Sequence, residues 1–503
     1  ADQLCVRRTA AGPQRRRKRM ISELNRLTTA LLILFAAVAL SITFWIVIQG
    51  QSLLAREDNA RLVIEEQRIN RGTIYDREGR KLAFSEETET GIRQRVYPYP
   101  EAAGAVGYYS LKYGEAGIEA AYNEQLRGDN VQSDLEQEWD KTLHRAQQGG
   151  DVRSTLDLDV QLAVAEAMGT HRGAVIVVEV PSGRILAMVS HPKYDPNQVE
   201  DDWDRLTRDE DTSPLLNRAI AGLYQPGSAL QTVMLVTILS AYPNLSTDAG
   251  YVLNEDLPDV RDTVELNGLE LTCQAQTPTQ KLTLAEAYAY GCPAPFADAM
   301  LNGTIKPGDL WQRLDVFGLL DKPKLEGFET QGGIPPRPLS SSSTSDQLLS
   351  TAVGQGDLTV TPLQMVQVVA AIANQGNAVP LHVVDAIRSP GETQWQDVNI
   401  SAFQPALLRT DVAEAVRLTM LQAAATSPAV RQAQPGNLVL YGHSGLSYAG
   451  PRPTPYAWFM GFVDQSVAEQ QAAIAVVVVL ENEANPGVAA EVARAAFAAA
   501  AGE

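Results

Sequence analysis

Between Leu27 and Ile48 the chain reads LTTALLILFAAVALSITFWIVI, 22 residues without a charge. No other stretch limits the fold as strongly. At 1.5 Å per residue this segment makes a helix roughly 33 Å long, enough for a hydrocarbon core of about 30 Å. The basic run Arg15-Arg16-Arg17-Lys18-Arg19 lies just before it. That asymmetry predicts a single-pass anchor in the plasma membrane, with the N-terminus cytoplasmic and residues 50–503 outside. A cleaved signal peptide is the alternative. Against it, the span is long for a signal core and ends on Phe44-Trp45-Ile46-Val47-Ile48 instead of a small-residue cleavage site. The sequence opens on Ala1 and not Met, so its start is open to extension.

Charge divides the chain at the same place. Residues 1–26 hold eight Arg or Lys and two acids, a balance of +6 within a net −19, which leaves −25 on the remainder. A body that acidic is a poor partner for nucleic acid, whose phosphates need basic patches. With 503 residues, 45% of them hydrophobic, the chain can bury sizeable cores and predicts two domains outside the membrane. The expected organisation is a basic cytoplasmic tail (1–26), a transmembrane helix (27–49), a membrane-proximal stalk and pedestal (50–152) and a larger domain (153–503). The five histidines, at 144, 171, 191, 382 and 443, show no metal-ligand spacing, so neither a metal nor a cofactor is expected. Cys5 is expected to be a free cytoplasmic thiol. Cys273 and Cys292 fall outside, where a bridge is permitted but not required by their spacing.

The pattern along the body is readable in parts. A mixed-charge helical stalk is expected after the span, then a hairpin in RGTIYDREGRKLAF, whose two runs flank the turn Asp76-Arg77-Glu78-Gly79. Gln147-Gln148-Gly149-Gly150 marks a boundary. TLDLDVQLAVAEAM predicts a short strand passing into a helix, and GAVIVVEV with RILAMVS predicts a second hairpin across Pro181-Ser182-Gly183. NLVLYGHSGLSYA, YAWFMGFVD and AAIAVVVVLEN predict three late strands, and VAAEVARAAFAAAA a closing helix. Early strands, a helical middle and late strands fit one sheet built from both ends of a domain. Ser340–Ser343 is expected to be a surface loop.

In YQPGSALQTVML, Pro226-Gly227 redirects the chain and Ser228 opens an apolar helix. There it meets free backbone N–H groups and the positive end of the helix dipole. That setting suits a nucleophile whose attack builds an oxyanion, and it equally suits a helix cap.

The order of motifs resembles the class B penicillin-binding proteins, closest to small actinobacterial division-type members. The resemblance rests on RGTIYDREGRKLA, GAVIVVEVPSGRILAMVSHPKYDPN, NRAIAGLYQPGS, GQGDLTVTPLQMVQVVAAIANQG and YAWFMGFVD with AAIAVVVVLEN, spread over residues 71 to about 500. It implies an α/β fold of α+β type: a transpeptidase domain with a mainly antiparallel sheet flanked by helices, beside a small membrane-proximal domain. It also implies three catalytic elements, and here each is altered. Where the family has Ser-x-x-Lys, this chain has Ser228-Ala229-Leu230-Gln231; the nucleophile remains, but an amide cannot take its proton. Where the family has Ser-x-Asn, Gly291 and Pro293 stand on either side of Cys292 and supply no polar side chain. Where the family has Lys-Thr/Ser-Gly, the sequence reads His443-Ser444-Gly445, in which the histidine could carry a charge or act as a base. Losing a positioned base typically costs about 10²–10⁴-fold in rate, and roughly 10⁶-fold where base and nucleophile act as one unit.

A kept fold with altered catalytic groups predicts a pseudoenzyme of peptidoglycan synthesis or cell division. It would scaffold or regulate an integral-membrane glycan polymerase of the shape, elongation, division and sporulation family, a partner the resemblance implies. Peptidoglycan stem peptide and β-lactams are the other implied ligands. The alternative is a slow D,D-transpeptidase or carboxypeptidase, or a β-lactam-binding protein, acylated at Ser228.

Overall fold

The computed structural model describes residues 13–47, 66–89, 91–129, 146–243, 245–257, 263–266, 268–277, 281–333, 338–450, 453–464 and 473–502. The chain forms two units, residues 1–68 and 69–503. The expected stalk over residues 50–65 and His144 lie outside the described residues.

The first unit contains one long helix, α1 (Pro13–Val47), so the basic run Arg15–Arg19 is itself helical. Its segment Glu23–Phe44 has a mean hydropathy of 2.3 and is long and apolar enough to cross a membrane. Leu31, Leu32, Leu34 and Phe35 are exposed on it, as lipid-facing side chains would be.

The second unit opens on β1 (Ile74–Tyr75), β2 (Lys81–Glu87) and β3 (Arg93–Val96). The expected hairpin is present: β1 and β2 pair antiparallel around the Asp76–Gly79 turn. Asp76 closes that turn, its carboxylate accepting from the backbone N–H groups of Glu78 and Arg80. A buried charge cluster stiffens this region. Glu119 is fully buried between Arg71 and Arg95, each guanidinium Nε lying 2.7 Å from it. Burial alone would raise its pKa, but Arg95 and Arg71 outweigh it and hold the carboxyl below the usual range.

β4 (Asp151–Ser154) follows, then α2 (Leu158–Met168). The short strand thus ends where the sequence reading placed its start, because Asp157 is the N-cap: its side chain accepts from the N–H groups of Asp159 and Val160. β5 (Arg172–Val180) and β6 (Ile185–His191) form the second hairpin. The helical middle includes α3 (Gln231–Ser240), a two-stranded ribbon of β7 (Thr263–Leu266) and β8 (Leu269–Thr272), α4 (Leu284–Ala289), α5 (Ala294–Leu301) and α6 (Pro362–Ala373). Thr361 and Gln364 close a capping box on α6, which is why TPLQ starts a helix there. β9 (Val384–Arg388), β10 (Gln396–Asp397) and α7 (Thr410–Thr426) lead to the three late strands, β11 (Val439–Ala449), β12 (Thr454–Asp464) and β13 (Ala473–Glu481), and to α8 (Pro486–Ala501).

The central sheet has the order β11-β12-β13-β5-β6, all neighbours antiparallel, so both ends of the chain do build it. Its inner strands are apolar without alternation because both faces are covered. Val175, Val177, Val476 and Val478 join a core with residues of α2 and α8; Ala174, Ile176, Val477 and Val479 join the other core with residues of α6. A second sheet, β10-β9-β4-β1-β2-β3, adds strands from late in the chain to the first hairpin.

Candidate active site

Pro226 and Gly227 lead into a 3-10 turn, Gly227–Leu230, that runs directly into α3. Ser228 sits in that turn with its side chain half-buried. It does not cap the helix: no side-chain cap bond forms at this end, and Gln231 N–H donates to the Ser228 carbonyl instead. The hydroxyl is therefore committed elsewhere. Ser228 Oγ accepts from Leu446 N–H at 3.0 Å and donates to Leu446 O at 3.3 Å.

The turn is held from several sides. Arg218, in the approach NRAIAGLY, is buried and pairs with Glu481 at the end of β13 (2.7 Å). Tyr224 OH donates to the same carboxylate at 2.8 Å. Trp458 Nε1 donates to Gln225 O at 3.1 Å. β11 passes so close that a side chain at Gly445 would put its Cβ 2.7 Å from Ala229 N, so glycine is what lets strand and turn meet.

Gln231 is buried, and its amide makes no hydrogen bond to the hydroxyl. Nε2 donates to Cys292 O at 3.1 Å, and Oε1 is left without a partner. His443 lies on β11, the edge strand of the central sheet, opposite Met460, and is fully buried. Its Nε2 donates to the main-chain carbonyl of Ser228 at 2.9 Å, which sets the neutral tautomer, and Nδ1 is unpartnered. The ring stacks on Tyr288 with centroids 4.0 Å apart. Burial pulls its pKa down to about 4, only partly offset by the bond to Ser228 O. At neutral pH this imidazole holds no charge, and neither nitrogen is hydrogen-bonded to the Ser228 hydroxyl.

Gly291 and Pro293 lie between α4 and α5 on the far wall of the pocket. Gly291 has φ +61, a left-handed conformation natural to glycine. Pro293 is the N-cap of α5 and provides no side-chain bond. Between them Cys292 is bridged to Cys273, S–S 2.07 Å.

The bridge brings in a residue that sequence reasoning missed. Gln274, next to Cys273, reaches over the serine: Nε2 donates to Ser228 Oγ, while Oε1 accepts from Ser444 Oγ at 3.0 Å. Its backbone N–H donates to Tyr290 O at 2.9 Å. The signal was the cysteine pair itself, since a made bridge carries residue 274 to the 291–293 turn. What remains open above Ser228 is a cavity of ≈ 160 Å³ lined by Gln274, Gly291, Pro293, Gln355 and Tyr448 among others.

A serine on a helix-opening turn, faced by the edge strand β11 of the central sheet and by a turn between two helices, brings the three altered motifs behind the family resemblance to one place. Sequence comparison agrees. The penicillin binding protein transpeptidase domain matches residues 173–498, and the penicillin binding protein A dimerisation domain matches residues 71–152. The chain belongs to the penicillin-binding-protein transpeptidase family. It is 32% identical over 491 residues to the peptidoglycan D,D-transpeptidase PbpA of Mycolicibacterium smegmatis, covering 92% of this chain and 94% of that protein. It is 29% identical to PbpA of Mycobacterium tuberculosis over 93% of this chain and 95% of that one. Among solved structures, the ceftriaxone acyl-enzyme of penicillin-binding protein A from M. tuberculosis superposes with a TM-score of 0.74 at 28% identity, covering 87% of this chain and 99% of that one. This penicillin-binding-protein homologue thus shares its architecture with peptidoglycan D,D-transpeptidases along most of its length.

Proposed function

We propose that this chain is a membrane-anchored penicillin-binding protein of peptidoglycan synthesis and cell division that performs no acyl transfer. It acts by binding, as scaffold or regulator of an integral-membrane glycan polymerase of the shape, elongation, division and sporulation family. Residues 27–49 form the span, 50–152 the stalk and pedestal, and 153–503 the transpeptidase-like domain, with the N-terminus cytoplasmic and the folded domains outside.

One observation carries the reading: among the described residues, no group able to accept a proton near neutral pH lies on the Ser228 hydroxyl. Its partners are the Leu446 main chain and the Gln274 amide. The amide of Gln231 faces Cys292 O, and His443 is spent on the Ser228 carbonyl. Without a base, the alkoxide needed for attack is not formed. Gly291 and Pro293 also offer nothing to protonate a leaving amine.

A second reading is favoured by the named activity of the relatives and by the Leu446 N–H aimed at the serine oxygen. In it the chain is a slow D,D-transpeptidase or carboxypeptidase, or a β-lactam-binding protein, acylated at Ser228. Fluorescent penicillin separates the two. The folded wild-type protein should take no covalent label over hours. Stable labelling that disappears in Ser228→Ala would establish the second reading instead.

A further inference from the structure

A pocket that has lost its base can still bind ligand, so silence in chemistry does not predict silence in binding. We propose that Gln274 closes the pocket to binding as well: its carboxamide is a built-in occupant of the space above Ser228, excluding peptide and β-lactam ligands independently of Gln231. The inference rests on the reading of a silent site only for the absence of covalent products.

Three observations converge on it. The amide spans two elements that a bound peptide would have to meet, donating from Nε2 to Ser228 Oγ and accepting at Oε1 from Ser444 Oγ (3.0 Å). A carboxamide thus bridges two hydroxyls with the donor and acceptor of a peptide group. Next, its backbone is fastened beside the serine. Gln274 N–H is bonded to Tyr290 O, and Cys273 is covalently tied to Cys292, Cα–Cα 4.0 Å. Finally, the opposite wall is cut away to receive it. A side chain at Gly291 would place its Cβ 2.5 Å from Gln274 Cδ, so glycine at the second element and glutamine at 274 fit as a pair. The cavity left is ≈ 160 Å³, below the range of about 300–1,000 Å³ in which small-molecule ligands are held.

A plug of this kind lowers apparent affinity by the fraction of time the pocket stands open. The test is titration calorimetry of the full-length protein in detergent with an acetylated peptide ending in D-alanyl-D-alanine, beside labelling with fluorescent penicillin. Wild type should show no saturable binding, and Gln274→Ala should bind the peptide about tenfold or more tightly, neither taking covalent label. Should Gln274→Ala melt early, Gln274→Asn, which draws the amide back by one methylene, is read the same way. A folded Gln274→Ala that binds no better than wild type overturns the plug and leaves the silent-site reading standing. Covalent labelling of Gln274→Ala, with wild type unlabelled, supports the plug and overturns the silent site. Labelling of wild type overturns both.

Discussion

His443 is fully buried on β11, with Tyr288 stacked on its ring and the Ser228 carbonyl as its only hydrogen-bond partner among the described residues. Sequence alone left it free to be a cation or a base; the surroundings that decide come from α4 and from the nucleophile turn, both remote in the chain. Desolvation brings its pKa from 6.5 to about 4. The unfolded chain therefore binds a proton near pH 6.5 that the folded chain refuses until about pH 4, and stability falls as pH drops through that window. A displacement of this size corresponds to on the order of 3 kcal/mol. His191 is also held low by burial and acts in the same direction. The expected outcome is that urea unfolding of wild type at pH 7 and pH 4.5 differs by more than that of His443→Gln. Equal pH dependence in the two proteins would show that His443 is not the buried neutral group described here.

At the scale of elements, the turn between α4 and α5 packs against the segment that follows β8, through Gly291 and Gln274. Restoring the catalytic types one at a time should fail for a steric reason as well as a chemical one. Gln231→Lys alone supplies a base while Gly291 and Pro293 still offer no relay. Gly291→Ser forces a side chain onto a backbone at φ +61 and against Gln274. The combination Gln231→Lys, Gly291→Ser and Pro293→Asn should therefore take little fluorescent penicillin, and adding Gln274→Ala should raise labelling by about tenfold or more. Labelling by Gln231→Lys alone would mean that one proton acceptor was all the site lacked. The altered motifs were legible because each sits inside a recognisable element, and so were β5, β6 and β11–β13, long runs of β-branched and aromatic residues between turns. Gln274 was not legible, since a glutamine in TCQAQT has meaning only after the Cys273–Cys292 bridge is made. The β9 strand was missed for a similar reason. VDAIR is short, and its partner β4 lies far back in the sequence, where Arg388 Nη2 reaches Asp151 at 2.5 Å.

Across the whole molecule, what the sequence invests outside the pocket is structure. The central sheet is covered on both faces, and the pedestal keeps a buried acid between two arginines at the cost of desolvating all three. Sequence reading gave the pedestal its hairpin but not Glu119, because an acid in AGIEAAY looks like an ordinary exposed helix residue. Removing that carboxylate leaves Arg95 without an acid and Arg71 with only the more distant Glu115 at 3.9 Å, a loss of about 3–5 kcal/mol in comparable sites. If the chain works by binding, damage to the pedestal and damage to the serine should have opposite consequences in cells. In a strain lacking the native gene, full-length Ser228→Ala should restore growth and morphology as well as wild type does, and should co-purify the same membrane proteins. Glu119→Ala, expressed to the same level in the membrane, should restore neither. Failure of Ser228→Ala to complement, with the protein folded, membrane-bound and holding Gln274 in place, would return the function to the hydroxyl, whose bonds to Leu446 and Gln274 are the other things the substitution removes.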